Sequence, residues 1–150
     1  MSPPLREISD VKAVREALKS GLIDVIATDH APHHTDEKIV EFDKAPFGII
    51  GLQTLVPLTL KLVNEGVISL ERMVELTSTN AAKMLNLKDK GRLAEGMLAD
   101  IAVIDPEIEY VYDEKINRSK SVNSPLFGKK LKGAATTTIK SGKIVYEFGK

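Results

Sequence analysis

The sequence predicts an α/β fold in which helices and one buried strand precede a unit of antiparallel strands. The run DVIAT, residues 24–28, is short, apolar and bounded by charge, which is typical of a parallel strand covered on both faces. Residues 30–51 are polar and contain two prolines, so they predict a long loop directly after that strand. Beyond Gly91, β-branched residues become frequent. The boundary between the two parts therefore falls near residue 88.

Two helices are predicted on either side of this strand and loop. The first is capped by Ser9 or Asp10, carries apolar residues at the spacing of one helical face, and has Gly21 where a left-handed C-terminal cap belongs. The second covers residues 52–65 and is ended by Gly66. Its apolar residues surround nearly the whole circumference, which predicts cover on more than one side.

The remaining elements continue this order. One helix is predicted to begin at Ser69 and a further short one at Asn80. Three later segments are rich in β-branched residues: ADIAVID (99–105), IEYVY (108–112) and TTTIKSGKIVYEF (136–148), the last with SGK as a turn. These segments predict an antiparallel appendage rather than further βα units.

Composition excludes several functional classes. The 21 basic and 21 acidic side chains cancel, which leaves no net field to attract nucleic acid or an anionic membrane. No apolar run reaches the roughly 18 residues of a membrane span, and the absence of cysteine excludes disulfides and thiolate metal sites. These features indicate a cytoplasmic protein. At 150 residues the chain is too short for a complete (β/α)₈ barrel, which needs about 250.

The predicted loop is entered through IATDHAPHH, residues 26–34, which holds an aspartate and all three histidines of the chain. Catalytic groups of (β/α) folds sit at the C-terminal ends of strands, and Asp29 has that position. A carboxylate there can bind a divalent metal and take a proton from metal-bound water, while His33 can face a substrate. Two other interpretations are solvated loop histidines and a self-contained zinc site. That zinc site would use Asp29, His30, His33 and His34.

Segments along nearly the whole chain match one known pattern in order. They are SPPLR (2–6), IATDHAPH followed by DEK (26–38), APFGIIGLQT (45–54), GRLAEGMLADIAVID (91–105) and SPLFGKKLKGAATTTIKSGKIVY (124–146). Together these segments resemble the dihydroorotase family of the amidohydrolase superfamily. Allantoinases and dihydropyrimidinases are related cyclic amide hydrolases that share the Asp-His at the strand end. They usually differ in the residues that follow it.

The resemblance implies the C-terminal part of a metal-dependent (β/α)₈ TIM barrel plus the C-terminal part of the small β-sandwich domain. Residues 1–88 would form the last βα units. Within them, residues 24–29 would be the final barrel strand, 30–51 the active-site loop and 52–66 a helix. Residues 89–150 would form strands of the sandwich.

Functional roles are implied position by position. Asp29 matches the aspartate that binds metal and serves as general acid and base. His33 matches the histidine that contacts the substrate carboxylate, and Phe47 and Gly48 match the loop whose backbone meets the substrate ring. Ser2 falls where many members carry a substrate-contacting asparagine. The other two histidines match no assigned role, which favours second-sphere or solvated positions for them.

The implied activity is the reversible, zinc-dependent hydrolysis of the cyclic amide of dihydroorotate to N-carbamoyl-L-aspartate, in de novo pyrimidine (UMP) biosynthesis. One or two Zn²⁺ ions would lower the pKa of a bound water and polarise the ring carbonyl. The expected partners are this small-molecule substrate and the rest of the barrel. A second copy of the chain or aspartate transcarbamoylase is a further expected partner.

The family's remaining metal ligands include a His-x-His pair, and this sequence contains none. We therefore expect a C-terminal portion that is inactive alone, binds zinc weakly and associates through unpaired edges. One alternative is a non-catalytic dihydroorotase-like partner of aspartate transcarbamoylase. Another is an unrelated binding module with a histidine-bearing loop.

Overall fold

The computed structural model describes residues 2–150, with helices in the first part of the chain and a three-stranded sheet in the second. The helical elements are α1 (Ile8–Lys19), α2 (Thr35–Lys38), a 3₁₀ turn (Leu52–Thr54), α3 (Leu55–Asn64), α4 (Leu70–Val74), a π-helical turn (Glu75–Thr79) and α5 (Asn80–Met84). The strands are β1 (Ile101–Val111), β2 (Lys130–Lys140) and β3 (Lys143–Glu147). All of these helices end before residue 88 and all of these strands begin after it.

Helix α1 starts slightly earlier than its sequence pattern predicts. Its N-cap is Glu7, and Asp10 is the third helical residue, whose Oδ2 accepts a hydrogen bond from the Glu7 N–H at 3.2 Å. The prediction of a cap at Ser9 or Asp10 is therefore wrong by two or three positions, because Asp10 caps from inside the first turn. Gly21 follows the helix at φ +82°, as predicted for a left-handed residue at this end.

The segment predicted as a doubly buried strand, residues 24–29, pairs with no other strand among the residues that the structure describes. Its backbone instead meets helices. The Ile26 N–H donates to the Leu76 carbonyl at 2.9 Å, and the Asn80 side-chain amide donates to the Asp24 carbonyl at 2.9 Å. None of its residues is fully buried. A parallel strand needs neighbours along both edges and cover on both faces, and only one side is covered here.

The predicted helix at 52–65 is present as the 3₁₀ turn followed by α3. Pro57 is tolerated because it is the third residue of α3, where a backbone N–H has no intrahelical acceptor. Gly66 ends the helix at φ +68°. The next helix is capped by Ser69, whose Oγ accepts from the Arg72 N–H at 3.1 Å. It continues through the π-helical turn into α5, so the helix predicted to begin at Asn80 is the last turn of one continuous helical segment.

The core lies between α1, α3 and the helical segment that begins with α4. Its buried members are Leu18, Leu60, Ile68, Met73 and Leu76. Most apolar residues of α1 remain outside it, since Ile8, Val11 and Val14 are 75%, 51% and 52% exposed. No helix in the described part of the chain is long and apolar enough to cross a membrane.

Leu76 is the most completely buried core residue, with 0% of its surface exposed. We expect Leu76→Ala to lower the free energy of unfolding by about 2–5 kcal/mol, because the truncation leaves a cavity that the helices fill only in part. Leu93→Ala, at a position that is 77% exposed, serves as the control. It should change stability by less than about 0.5 kcal/mol. Urea denaturation followed by circular dichroism measures both, and equal effects would contradict this core.

The sheet has the strand order β1-β2-β3 and both pairings are antiparallel. Two segments predicted as separate strands are joined in β1. The register of its pairing with β2 shifts between Asp105 and Glu109, around Pro106, because proline has no N–H to donate to the ladder. The predicted turn at Ser141 and Gly142 connects β2 to β3. Residues of β2 pack on α3, and this contact joins the sheet to the helical part.

A charge cluster at the start of β1 joins the connection after α5 to the β2–β3 turn. The Asp100 Oδ2 lies 2.5 Å from both Lys140 Nζ and Lys90 Nζ, and Oδ1 accepts from the Ser141 N–H at 2.8 Å. The ammonium group of Lys140 has the larger effect and that of Lys90 the smaller, and together they hold the pKa of Asp100 far below its ordinary value of 3.8. The carboxylate thus ties three separate segments together.

This cluster predicts acid sensitivity. A depressed folded-state pKa contributes stability above the unfolded-state pKa and loses it as the pH falls through the folded-state value. The wild-type chain should therefore lose stability progressively below about pH 4, and Asp100→Asn should lose less over the same range while being less stable at pH 7. Thermal unfolding at a series of pH values measures the two slopes. Identical slopes for both proteins would show that Asp100 is not tied to the lysines.

Candidate functional site

The two ends of the loop at 30–51 lie side by side, residues 30–34 as its first arm and residues 46–51 as its second arm. The Ala31 N–H donates to the Ile49 carbonyl at 2.9 Å, and the Gly51 N–H donates to His30 Nδ1 at 3.0 Å. The backbones at Thr28 and Gly51 lie close together, because a Cβ built on Gly51 would lie 3.0 Å from the Thr28 carbonyl oxygen. His30 is half-buried, and its ring nitrogen fixes the return of the loop.

Three of the residues predicted to contact substrate are brought together on this loop. His33 Nε2 lies 2.9 Å from the Phe47 carbonyl oxygen. Because a carbonyl only accepts, this nitrogen carries the proton and donates it. A Cβ on Gly48 would lie 3.6 Å from the same nitrogen. The other ring nitrogen, Nδ1, is 3.4 Å from Glu37 Oε2, so the ring lies between α2 and the Phe47 carbonyl.

Gly48 is required by this close approach. It adopts φ +106°, and a Cβ there would lie 2.5 Å from the Cβ of Ala31. The second arm is also held from the loop's own helix α2, because Lys38 Nζ donates to the Pro46 carbonyl at 2.5 Å and to the Gly48 carbonyl at 3.0 Å. The Phe47 side chain remains 65% exposed.

Asp29 directly precedes these arms, with an exposed side chain and a left-handed backbone at φ +44°. A non-glycine residue in this region costs about 1–3 kcal/mol and such residues cluster at functional sites. Asn86 and Ser141 adopt the same region outside this loop, so the case for Asp29 depends on its position after the predicted strand and not on its backbone alone. Ser2 is exposed in the stretch before α1.

The residues present do not assemble a complete metal site. Within residues 2–150, no group of three or more His, Cys, Asp or Glu side chains is arranged to hold an ion. His30 Nδ1 accepts from the Gly51 N–H, and His34 Nδ1 accepts from the Asp36 N–H at 3.3 Å as the cap of α2. The self-contained zinc site weighed from the sequence is therefore not formed. Asp29 can supply one ligand, and a zinc site needs three or four.

One residue that contacts the loop was missed by sequence reasoning. Asn123 lies between β1 and β2, yet its side chain bonds to both arms of the loop, 90 residues away from His33 along the chain. The only sequence signal is its place next to the SPLFGKK segment.

Comparison with known proteins assigns the family. The amidohydrolase family model matches residues 3–145. Proteins named dihydroorotase are similar over nearly the whole chain: that of Geobacter metallireducens is 53% identical over 98% of this chain, and that of Pelobacter propionicus is 51% identical over 97%. The chain spans 34% of the length of each.

A solved structure shows the same similarity. The L-hydantoinase (dihydropyrimidinase) of Arthrobacter aurescens superposes with a TM-score of 0.91 at 34% identity, over 100% of this chain and 34% of that protein. These matches confirm the resemblance that the motifs predict. The chain belongs to the amidohydrolase family.

Proposed function

We propose that this chain is the last third of a dihydroorotase, a cyclic amide hydrolase that opens dihydroorotate to N-carbamoyl-L-aspartate and closes it again. The observation that carries the proposal is the identity of about half of all residues to dihydroorotases over nearly the whole chain. The loop geometry supports it, because His33, Phe47 and Gly48 are held together directly after Asp29.

The reaction adds water to the ring carbonyl and breaks the bond between that carbon and the ring nitrogen. Asp29 would take the proton of the attacking water on its carboxylate and deliver it to the leaving nitrogen. The backbone at Phe47 and Gly48 would meet the substrate ring. His33, whose ring orientation is set by its bond to the Phe47 carbonyl, would contact the substrate carboxylate.

A metal is part of this proposal. Asp29 would supply one ligand, and the others would come from outside residues 2–150, since this part of the chain gathers no cluster of its own. Bound zinc lowers the pKa of a coordinated water towards neutrality. Isolated, the chain would be inactive and would bind zinc weakly.

Exposed apolar side chains support a larger assembly. On α1, Ile8 is 75% exposed, and on α3, Leu58 is 42% exposed. In the proposed enzyme the rest of the barrel would cover these residues, and the isolated chain would associate. A second copy of the whole protein or aspartate transcarbamoylase would then be a partner of the assembled barrel.

A second candidate is a related hydrolase acting on hydantoin or dihydropyrimidine rings. It is favoured by the close superposition on the Arthrobacter aurescens enzyme. The two candidates differ in charge, since dihydroorotate carries a carboxylate and those rings do not. The higher sequence identity to the Geobacter metallireducens dihydroorotase, 53% against 34% to the Arthrobacter aurescens enzyme, favours the charged ring.

The test is a chimera in which this chain replaces the last third of the Geobacter metallireducens dihydroorotase. This chimera is the completed enzyme. With zinc present, we expect kcat/KM for dihydroorotate to exceed that for hydantoin or dihydrouracil by about 10-fold or more, as the loss of one charge-assisted hydrogen bond predicts. The parent enzyme is the positive control.

Two other outcomes would count against the proposal. A preference for hydantoin or dihydrouracil would transfer the assignment to the second candidate. A folded completed enzyme without activity on any of these rings would support the non-catalytic partner.

A further inference from the structure

Asn123 binds both arms of the loop at 30–51, which is the substrate loop of the proposed enzyme. Its Nδ2 donates to the Ala31 carbonyl at 2.9 Å and to the Gly48 carbonyl at 3.3 Å, and its Oδ1 accepts from the His33 N–H at 3.3 Å. Its own backbone carbonyl accepts from the Ile50 N–H at 3.1 Å. Two of these contacts fall on the first arm and two on the second, so this residue fixes the spacing of the arms.

The chemistry of the side chain fits this task. A carboxamide offers two N–H donors and a carbonyl acceptor in one plane, and three of its bonds here use both ends. An aspartate of the same shape would offer no donor and would place an oxygen against the carbonyls of Ala31 and Gly48. An alanine would leave both carbonyls and the His33 N–H without this partner. Half-burial of Asn123 makes such losses costly, because water cannot fully replace the bonds.

These contacts reach the residues of the candidate site itself. Ala31 precedes His33 by two positions and donates across to Ile49, while Gly48 faces the His33 ring. A shift of the Asn123 side chain would therefore separate His33 from the Phe47 carbonyl. Displacement by as little as 1 Å at a substrate-positioning group can reduce rates by about 100-fold.

We propose that Asn123 is a positioning residue that sets the distance between the two arms of the substrate loop, and through it the geometry in which His33 and the backbone at Gly48 meet the substrate. This role rests on the proposed function. Asn123 does not touch the reacting atoms and acts only through the loop. It thereby couples the segment between β1 and β2 to the site.

The test compares Asn123→Asp, Asn123→Ala and Asn123→Gln in the completed enzyme, with Asn64→Asp at the exposed end of α3 as the matched control. We expect KM for dihydroorotate to rise by about 10-fold or more in Asn123→Asp and less in Asn123→Ala, because only the aspartate sets oxygen against oxygen. The value of kcat should fall less than KM rises. The control should keep wild-type KM.

A second readout does not depend on activity. In the 150-residue chain, amide hydrogen exchange at His33 and Ile50 should accelerate in Asn123→Asp, while exchange in the core around Leu76 stays unchanged. If the completed enzyme is inactive but exchange changes as described, the proposed function fails and the positioning of the loop stands.

Three results would overturn the proposal. The first is KM within about twofold of wild type in Asn123→Asp. The second is equal damage by the aspartate and alanine variants. The third is a uniform loss of folding in all three variants, which would make Asn123 a general structural residue.

Discussion

Asp29→Asn should reduce the rate of dihydroorotate ring opening by the completed enzyme by about 10²–10⁴-fold, the range that a positioned general acid and base contributes. Asparagine keeps the size of the side chain and can adopt the same left-handed backbone, φ +44°. It removes the negative charge and the capacity to take a proton. The loss should therefore appear in kcat and should persist at saturating zinc.

Asp43→Asn provides the matched control, because Asp43 is an exposed aspartate in the same loop. It should retain wild-type kcat and KM. Steady-state ultraviolet assays of ring opening measure both variants across a zinc titration. Retention of more than about one tenth of the rate by Asp29→Asn would remove this residue from the chemistry.

Gly48→Ala is expected to have the second largest effect. The added Cβ meets the Ala31 Cβ at 2.5 Å, and φ +106° is unfavourable for any side chain. Overpacking and backbone strain each cost about 1–3 kcal/mol, and the loop can relieve both only by moving its arms apart. KM for dihydroorotate should rise by about 10-fold or more, since the His33–Phe47 contact then opens.

Gly66→Ala separates strain from crowding. Gly66 also has a left-handed backbone, φ +68°, but a Cβ there would meet nothing within 4 Å. This variant should lower the melting temperature only as far as the free energy of backbone strain requires, and it should leave KM unchanged. Equal changes of KM in the two variants would contradict the account of the loop.

Elements with local signals were predictable from the sequence. The Ser69 cap, the left-handed glycines at 21 and 66 and the β2–β3 turn each depend on a few neighbouring residues, and each lies where the pattern places it. The loop with His33, Phe47 and Gly48 was singled out from its motif, and the roles of these residues stay predictions. The structure adds the contacts that hold these residues together.

Features that depend on distant partners were not predictable. The strand predicted at 24–29 requires burial on both of its faces. In this chain helices cover one side of the segment only, and the strand is not formed. The contact of Asn123 with the loop crosses 90 residues of sequence and has no periodicity. The continuity of the helix through Asn80 was also not predictable from the sequence, because the π-helical turn before Asn80 shifts the apolar spacing.

The measurement that tests the central claim most directly is ring opening of dihydroorotate, with added zinc, by the 150-residue chain beside the completed enzyme. We predict no activity from the chain alone, because residues 2–150 gather no group of three or more side chains that could hold a metal ion, and activity from the completed enzyme. Activity of the chain alone that Asp29→Asn abolishes would contradict the account. It would show that copies of this chain assemble a whole site among themselves.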